Sequence, residues 1–247
     1  MQVVILCGGK GTRLSEYTEE IPKPLVEIGN KPILHHLMEL YAYSGHKDFI
    51  LCLGYKGEKI KEYLKDTQKS KISGVLKNKV FHDNKDWNIE FVDTGEDTNK
   101  AQRLMKIKDR IKDNTFLLSY GDDLSDVDIN KVTEFHKKSN KIVTLTAVPL
   151  ISQFGIIEVN EKQEVVQFKE KPKLNHLING GFYVMEKKVF NFIKPGYDLE
   201  KETFEDLAKQ NQIAAFKHDG FWKSMNTLKD VIELNDLYNK GNAPWIK

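Results

Sequence analysis

Three apolar residues, Val3, Val4 and Ile5, run straight into Leu6-Cys7-Gly8-Gly9-Lys10-Gly11-Thr12-Arg13-Leu14. The run reads as a buried strand, and the three glycines at its end let the backbone approach a ligand and adopt positive φ. Thr12, Arg13 and, ten residues on, Lys23 add a hydroxyl and two cations. Prolines at 22 and 24 hold the backbone around Lys23 extended and aim its ammonium. Glycines with those groups make chemistry for an oligophosphate.

Two commoner phosphate motifs fail. A Walker A loop needs glycine where Val4 stands and Gly-Lys rather than Lys10-Gly11. The dinucleotide fingerprint needs glycine or alanine where the chain has Leu14. A second candidate is Ser119-Tyr120-Gly121-Asp122-Asp123, delivered by the apolar run Phe116 to Leu118. Ligands collect at the carboxyl ends of strands in open parallel sheets, and one carboxylate there can hold Mg²⁺ against phosphate oxygens. Asp122 is the expected ligand, whereas Asp126 and Asp128 read as solvated caps of the following helix.

Apolar β-branched runs alternate with amphipathic stretches along the chain. Strands are expected at Val3–Cys7, Phe49–Gly54, Ile89–Val92, Thr115–Ser119, Ile142–Val148, Ile156–Val159, Val165–Phe168 and Gly181–Met185. Helices are expected at Ile33–Tyr43, Lys59–Leu64, Gln102–Lys112, Asn130–Lys138, Lys201–Gln210 and Leu228–Tyr238. The pattern predicts an α/β fold of βαβ units around a mainly parallel mixed sheet. No linker or repeat divides the 247 residues, so a single domain over 1–247 is expected. Residues 65–86 are lysine-rich and weakly periodic, an excursion that is a candidate contact in a homo-oligomer.

With 38 Lys plus Arg against 36 Asp plus Glu, the net charge is +2. No global field attracts nucleic acid or an anionic membrane, so the cations act locally. Cys7 and Cys52 each lie in an apolar run, which suits small buried residues in a reduced compartment. With no cationic leader and no long apolar run, a cytoplasmic location is expected. His35 and His36 are neighbours on one predicted helix, point about 100° apart and read as structural.

Further on come Phe168-Lys169-Glu170-Lys171-Pro172, Ile178-Asn179-Gly180-Gly181-Phe182 and Gly220-Phe221-Trp222-Lys223-Ser224-Met225-Asn226-Thr227. With the N-terminal stretch and "VEIGNKPIL", "VDTGED" and "NKGNAPW", the chain resembles the sugar-phosphate nucleotidyltransferases, particularly the cytidylyltransferases acting on glucose 1-phosphate. The resemblance spans nearly the whole chain and implies a Rossmann-like fold with a small β extension on the acceptor side. It also implies a Mg²⁺-dependent reaction in which an acceptor's phosphate oxygen attacks the α-phosphorus of CTP and pyrophosphate leaves, for surface polysaccharide or capsule synthesis.

Carried over motif by motif, Leu6, Cys7, Gly8, Gly9, Lys10, Gly11, Thr12, Arg13, Lys23 and Gly121 would bind nucleotide, and Thr98 and Arg103 would read the pyrimidine. Arg13 would favour pyrophosphate departure, Lys23 would stabilise charge at the α-phosphate, and Lys171 would hold the acceptor's phosphate. The acceptor would also meet Lys100, Tyr120, Gly155, Glu170, Asn179, Gly180 and Trp222, and the metal would meet Asp122 and Asn226.

Two departures from the family pattern stand out. Lys100-Ala101-Gln102 replaces Thr-Gly-Gly, and Met225-Asn226-Thr227 replaces Met-Asp-Thr, removing one carboxylate. Lys100 adds a cation that suits an acceptor with a second anionic group, or it projects into water at a helix start. A non-sugar acceptor is therefore an alternative, such as a phosphorylated amino acid (a glutamine phosphate, for example) or a polyol phosphate. From another class, a non-catalytic nucleotide- or sugar-phosphate-binding regulator stays open because of Asn226.

Overall fold

The computed structural model describes residues 1–69 and 86–247. In chain order, its strands are β1 (Val3–Leu6), β2 (Glu27–Ile28), β3 (Lys31–Pro32), β4 (Asp48–Leu53), β5 (Asn88–Asp93), β6 (Thr115–Tyr120) and β7 (Asp123–Ser125). They continue as β8 (Val143–Ile151), β9 (Ile156–Val159), β10 (Val165–Lys169), β11 (Lys173–Asn179), β12 (Tyr183–Glu186), β13 (Ile213–Lys217) and β14 (Trp222–Ser224). The helices are α1 (Ser15–Thr18), α2 (Ile33–Tyr43), α3 (Gly57–Lys69), α4 (Lys100–Ile107), α5 (Ile129–Ser139), α6 (Glu205–Lys209) and α7 (Leu228–Asn239).

The central sheet has the order β11-β8-β12-β6-β1-β4-β5, with β13 also paired to β8. It is mixed: β1, β4, β5 and β6 run parallel, as do β13 and β8, whereas β12 lies antiparallel between β6 and β8. β1 is paired on both sides and fully apolar, so alternate side chains enter opposite layers. Val3 and Ile5 pack with Leu37 and Met38 of α2, while Val4 and Leu6 pack with Leu104 and Ile107 of α4. Helices on both faces thus cover the sheet, in the Rossmann-like manner.

A two-stranded ladder, β9 with β10, stands off this sheet and keeps Ile157, Val165, Val166 and Phe168 exposed. It is the small β extension. No helix of the described residues is long and apolar enough to cross a membrane.

Several element boundaries differ from the expectations. α4 begins at Lys100, where Asn99 Oδ1 accepts from Gln102 N, and its α-helical turns end at Ile107, with Lys108–Arg110 as a 3-10 turn. The stretch expected as one helix over 201–210 splits into a π turn over Leu199–Phe204 and α6. β12 starts at Tyr183 because Gly181 and Phe182 hold φ of 71° and 46°. Asp128 caps α5 by accepting from Asn130 N and Lys131 N, but Asp126 does not cap and faces His218 Nε2 at 2.9 Å. α3 continues through Lys69, so the 65–86 excursion begins as helix and most of it, 70–85, lies outside the described residues.

Candidate active site

β1, β4, β5 and β6 end on the same side of the sheet, and a cavity of about 750 Å³ opens there. The glycine-rich turn enters it directly from β1. Gly11 holds φ of 65°, and a Cβ there would stand 2.8 Å from Thr18 Cγ2 and 3.2 Å from Lys23 Cβ. Neither the conformation nor the space admits a larger residue. Leu6, Cys7, Gly8, Gly9, Lys10, Gly11 and Arg13 all line the cavity, whereas Thr12 starts the following 3-10 turn and lies outside the lining. Arg13 is exposed and makes no ion pair with any described residue. Lys10 Nζ spans to Asp97 Oδ1 at 2.8 Å and Glu96 Oε1 at 3.5 Å, bridging two lips of the cavity. Burial pushes the Cys7 thiol well up, so it lines the site as a neutral group.

Arg103 lies in the buried wall behind this turn. Its Nη1 donates to Leu53 O, Thr94 Oγ1 and Gly95 O, and its Nη2 donates to Gly8 O and Glu96 O. Arg103, expected to read a base, lines the cavity, and its terminal hydrogens go to the ends of β1, β4 and β5. It ties three parallel strand ends into one rim. Thr98 also lines the cavity, and its Oγ1 accepts from Lys106 Nζ at 3.2 Å.

On the opposite wall, Gly121, Asp122 and Asp123 follow β6. Lys23 Nζ lies 2.5 Å from Asp122 Oδ2 and 3.1 Å from Asn226 Oδ1. Lys23 is buried, with its side chain 10% exposed. Asn226 is fixed by donating from Nδ2 to Ser224 Oγ at 3.0 Å and from its backbone N to Asp230 Oδ2 at 3.0 Å. Two oxygens from separate elements therefore converge on one cationic atom, a donor set that fits Mg²⁺. Among the described residues no cluster of three or more His, Cys, Asp or Glu side chains could hold a metal, so other ligands would have to come from phosphate or water. Asp123 is fully buried; desolvation, then the charge of Asp122, raises its carboxyl well above the ordinary range.

The far end of the cavity carries Lys100, Tyr120, Asn179, Trp222, Asp198 and Glu200. Lys100 Nζ is 2.5 Å from Glu200 Oε1 and stands 4.4 Å over the Tyr120 ring. Tyr120 Oη also donates to Glu200 Oε1 at 2.5 Å, and Asn179 Nδ2 donates to Tyr183 Oη at 2.6 Å. Lys100, with its side chain 45% exposed, is paired with Glu200. Trp222 is held by Nε1 donating to Gly180 O at 2.7 Å, so Gly180 supports the wall without lining it.

Three residues expected to meet the acceptor stand apart from the cavity lining. Gly155, Glu170 and Lys171 do not line the cavity; they belong to the β9–β10 extension and the turn after it. Lys171 is exposed, holds φ of 45° and sits 3.4 Å from Glu170 Oε1. Conversely, Pro24, Glu96, Asp97, Asn99, Asp198, Glu200 and Ser224 line the cavity without having been singled out. The position of residues 96–99, just past the carboxyl end of parallel β5, could have flagged them. Asp198 and Glu200 carried no local signal, since only the strand order places them there.

The family model described as Nucleotidyl transferase matches residues 2–241. The chain belongs to the nucleotidyl transferase family. This nucleotidyltransferase is 43% identical over 254 residues to the glucose-1-phosphate cytidylyltransferase of Salmonella typhimurium, covering 99% of this chain and 98% of the relative. It is 34% identical over 248 residues to a mannose-1-phosphate guanyltransferase of Yarrowia lipolytica, covering 96% of this chain and 64% of that one. Among solved structures, HddC of Yersinia pseudotuberculosis with GMP-PN aligns at TM-score 0.70 and 21% identity, over 96% of this chain and 99% of that one. An apo UDP-glucose pyrophosphorylase aligns at TM-score 0.73 and 17% identity, over 97% and 98%. The structural likenesses speak for the nucleotidyltransferase's fold alone.

Proposed function

We propose that the chain, acting as one domain over 1–247, transfers CMP from CTP to a phosphomonoester acceptor and releases pyrophosphate, with Mg²⁺ as cofactor. The observation that carries this reading is the convergence of the glycine-rich turn, Arg13, Lys23 and Asp122 on one cavity at the carboxyl ends of parallel strands. The acceptor's phosphate oxygen forms a bond to the α-phosphorus as the bond to the α,β-bridging oxygen breaks. That nucleophile is already an anion, so no general base is needed and alignment with charge neutralisation does the work.

In this reading the backbone around Gly8, Gly9 and Gly11 cradles the triphosphate, with Lys10 at its edge. Arg13, the exposed cation of the turn, neutralises the departing pyrophosphate. Lys23 stabilises charge at the α-phosphate. Asp122 and Asn226 would hold Mg²⁺, which supplies charge neutralisation on phosphate oxygens when bound. Thr98 faces the base, and Arg103 shapes the turn from behind. Lys171 would hold the acceptor's phosphate from the turn after β10.

The choice of CTP and of a sugar 1-phosphate-like acceptor draws on the similarity to the Salmonella typhimurium enzyme. A second acceptor reading is favoured by the Lys100–Glu200 pair: two opposite charges side by side match a phosphorylated amino acid, whose carboxylate and ammonium complement them. Pyrophosphate release measured across a matrix of four nucleoside triphosphates and several acceptors tests both. Absence of release with every pair would remove the enzymatic reading and leave a nucleotide-binding regulator.

A further inference from the structure

The cation position at Asp122 is taken, and what takes it is part of the chain. Lys23 Nζ is within 2.5 Å of Asp122 Oδ2 and 3.1 Å of Asn226 Oδ1. Lys23 lies in a tight turn in which Leu25 N donates to Pro22 O at 2.8 Å and Val26 N donates to Lys23 O at 3.1 Å. Its backbone is therefore fixed, and only the methylene stem can carry the ammonium elsewhere. Asp122 is 24% exposed and so keeps one side toward the cavity. A divalent ion approaching Asp122 from solvent meets a carboxylate already neutralised, beside an amide that brings no charge, and is repelled by the ammonium at close range.

We infer that in the free enzyme Lys23 is the resident cation of Asp122, and that a divalent metal takes this carboxylate only together with the triphosphate, which draws the ammonium onto its own oxygens. The inference rests on Asp122 being the metal ligand of the proposed function. Both partners of the exchange are then compensated at every stage. Before nucleotide arrives, Asp122 is paired with Lys23; afterwards the metal holds Asp122 and the phosphates hold Lys23. The same exchange explains how Asn226 can stand where a second carboxylate would be expected. The nucleotide itself brings the negative charge that a second carboxylate would have supplied. The metal–nucleotide complex, rather than free metal, is the species that enters.

The unusual consequence is that deleting a cation central to the proposed chemistry strengthens metal binding. Mn²⁺, a paramagnetic substitute, is titrated into the full-length protein and free Mn²⁺ is counted by electron paramagnetic resonance, with and without a non-hydrolysable CTP analogue. Lys23→Met, which keeps the buried stem, should bind Mn²⁺ at least tenfold more tightly than wild type without nucleotide. The gain should vanish in Lys23→Met/Asp122→Asn. Lys23→Arg, retaining the charge, should behave as wild type. Unchanged or weaker Mn²⁺ binding by folded Lys23→Met would overturn the inference. If that variant does not fold, wild type decides, with the Mn²⁺ held by the analogue alone subtracted: tightening of protein-bound Mn²⁺ by the analogue of tenfold or more would support the inference, and anything less would overturn it. Failure of the underlying metal assignment has a separate signature, namely Asp122→Asn binding Mn²⁺ normally in the presence of the analogue.

Discussion

Arg103 Nη2 donates to Gly8 O at 3.0 Å, and a Cβ built on Gly8 would stand 2.0 Å from Arg103 Nη1. The glycine and the arginine thus require one another. The guanidinium fills the space that glycine leaves, and it supplies the donors that the ends of β1, β4 and β5 need once the strand ladder stops.

Replacing Arg103 by Met should therefore cost stability as well as activity. Removing the donors leaves the half-buried Gly95 carbonyl without a partner and weakens the bonding at Gly8 O, which keeps Tyr55 N, and at Leu53 O, which keeps Thr94 N and Oγ1; an unmet buried carbonyl is worth about 1–3 kcal/mol. A loss of about 1–3 kcal/mol is expected in urea unfolding, together with a raised KM for nucleotide. Gly8→Ala should show the same pair of effects. A variant with wild-type stability whose only change is its choice among nucleotides would instead return Arg103 to base reading.

This pair also marks the limit of what the sequence discloses. The glycine-rich turn, Lys23 and Asp122 were legible because their chemistry and their place after apolar runs point the same way. The partners of Arg103 were not, since they are backbone carbonyls whose directions follow from three strands meeting. The β1, α2, β4 and β6 elements were plain from periodicity, whereas β13 and β14 were missed because their pairing with β8 and β7 is set by tertiary contact. Glu200 lay hidden in what looked like an ordinary amphipathic helix, and the π turn that aims it has no sequence signature.

CTP should exceed UTP, ATP and GTP as substrate. A polar site built for the cytosine edge leaves hydrogen-bonding groups unpaired against uracil, a penalty of about 1–3 kcal/mol, or roughly 5- to 150-fold in kcat/KM. Equal pyrophosphate release from CTP and UTP, or a preference for a purine nucleotide, would remove the assignment.

The metal ligands should separate in a Mg²⁺ titration of turnover. Asp122→Asn takes away the one carboxylate on the shared cation position and should nearly abolish activity at ordinary Mg²⁺. Asn226→Asp should be tolerated and lower the Mg²⁺ needed for half-maximal rate, at the expense of the donation to Ser224 Oγ. Near-normal activity of Asp122→Asn would show that the metal sits elsewhere.

Acid should weaken the fold through His36. Desolvation lowers its pKa to about 4, and the backbone hydrogen bond to Ile28 O at 2.8 Å only partly opposes that shift. Its Nδ1 is buried without a partner, so a second ring proton has no acceptor. Because the unfolded chain takes up this proton near pH 6.5 and the folded chain does not, the contribution is full above pH 6.5. It is lost as pH falls toward 4, on the order of 3 kcal/mol in all. His46 and His136, also lowered by burial, act in the same direction. Urea midpoints between pH 7 and 4.5 should fall steeply for wild type and less steeply for His36→Leu; parallel slopes would show that His36 titrates normally.

The acceptor should be decided by Lys100 and Glu200. Their pair is half-buried on the cavity wall, braced by the Tyr120 ring beneath Lys100 and by Tyr120 Oη on Glu200. A neutral sugar ring laid against this wall removes water from both charges and returns only hydroxyl contacts. An amino-acid head group instead offers a carboxylate to Lys100 and an ammonium to Glu200 and the nearby Asp198. Each charge-assisted contact is worth about 1.5–3 kcal/mol, so a phosphorylated amino acid should surpass glucose 1-phosphate in kcat/KM by tenfold or more. Lys100→Ala and Glu200→Gln should each shrink that ratio at least tenfold while leaving pyrophosphate release with a neutral polyol phosphate within a fewfold of wild type. If glucose 1-phosphate with CTP is the fastest pair, near 10⁴ M⁻¹s⁻¹ or above, the pair is a structural brace and the acceptor is the sugar phosphate named for the Salmonella typhimurium relative.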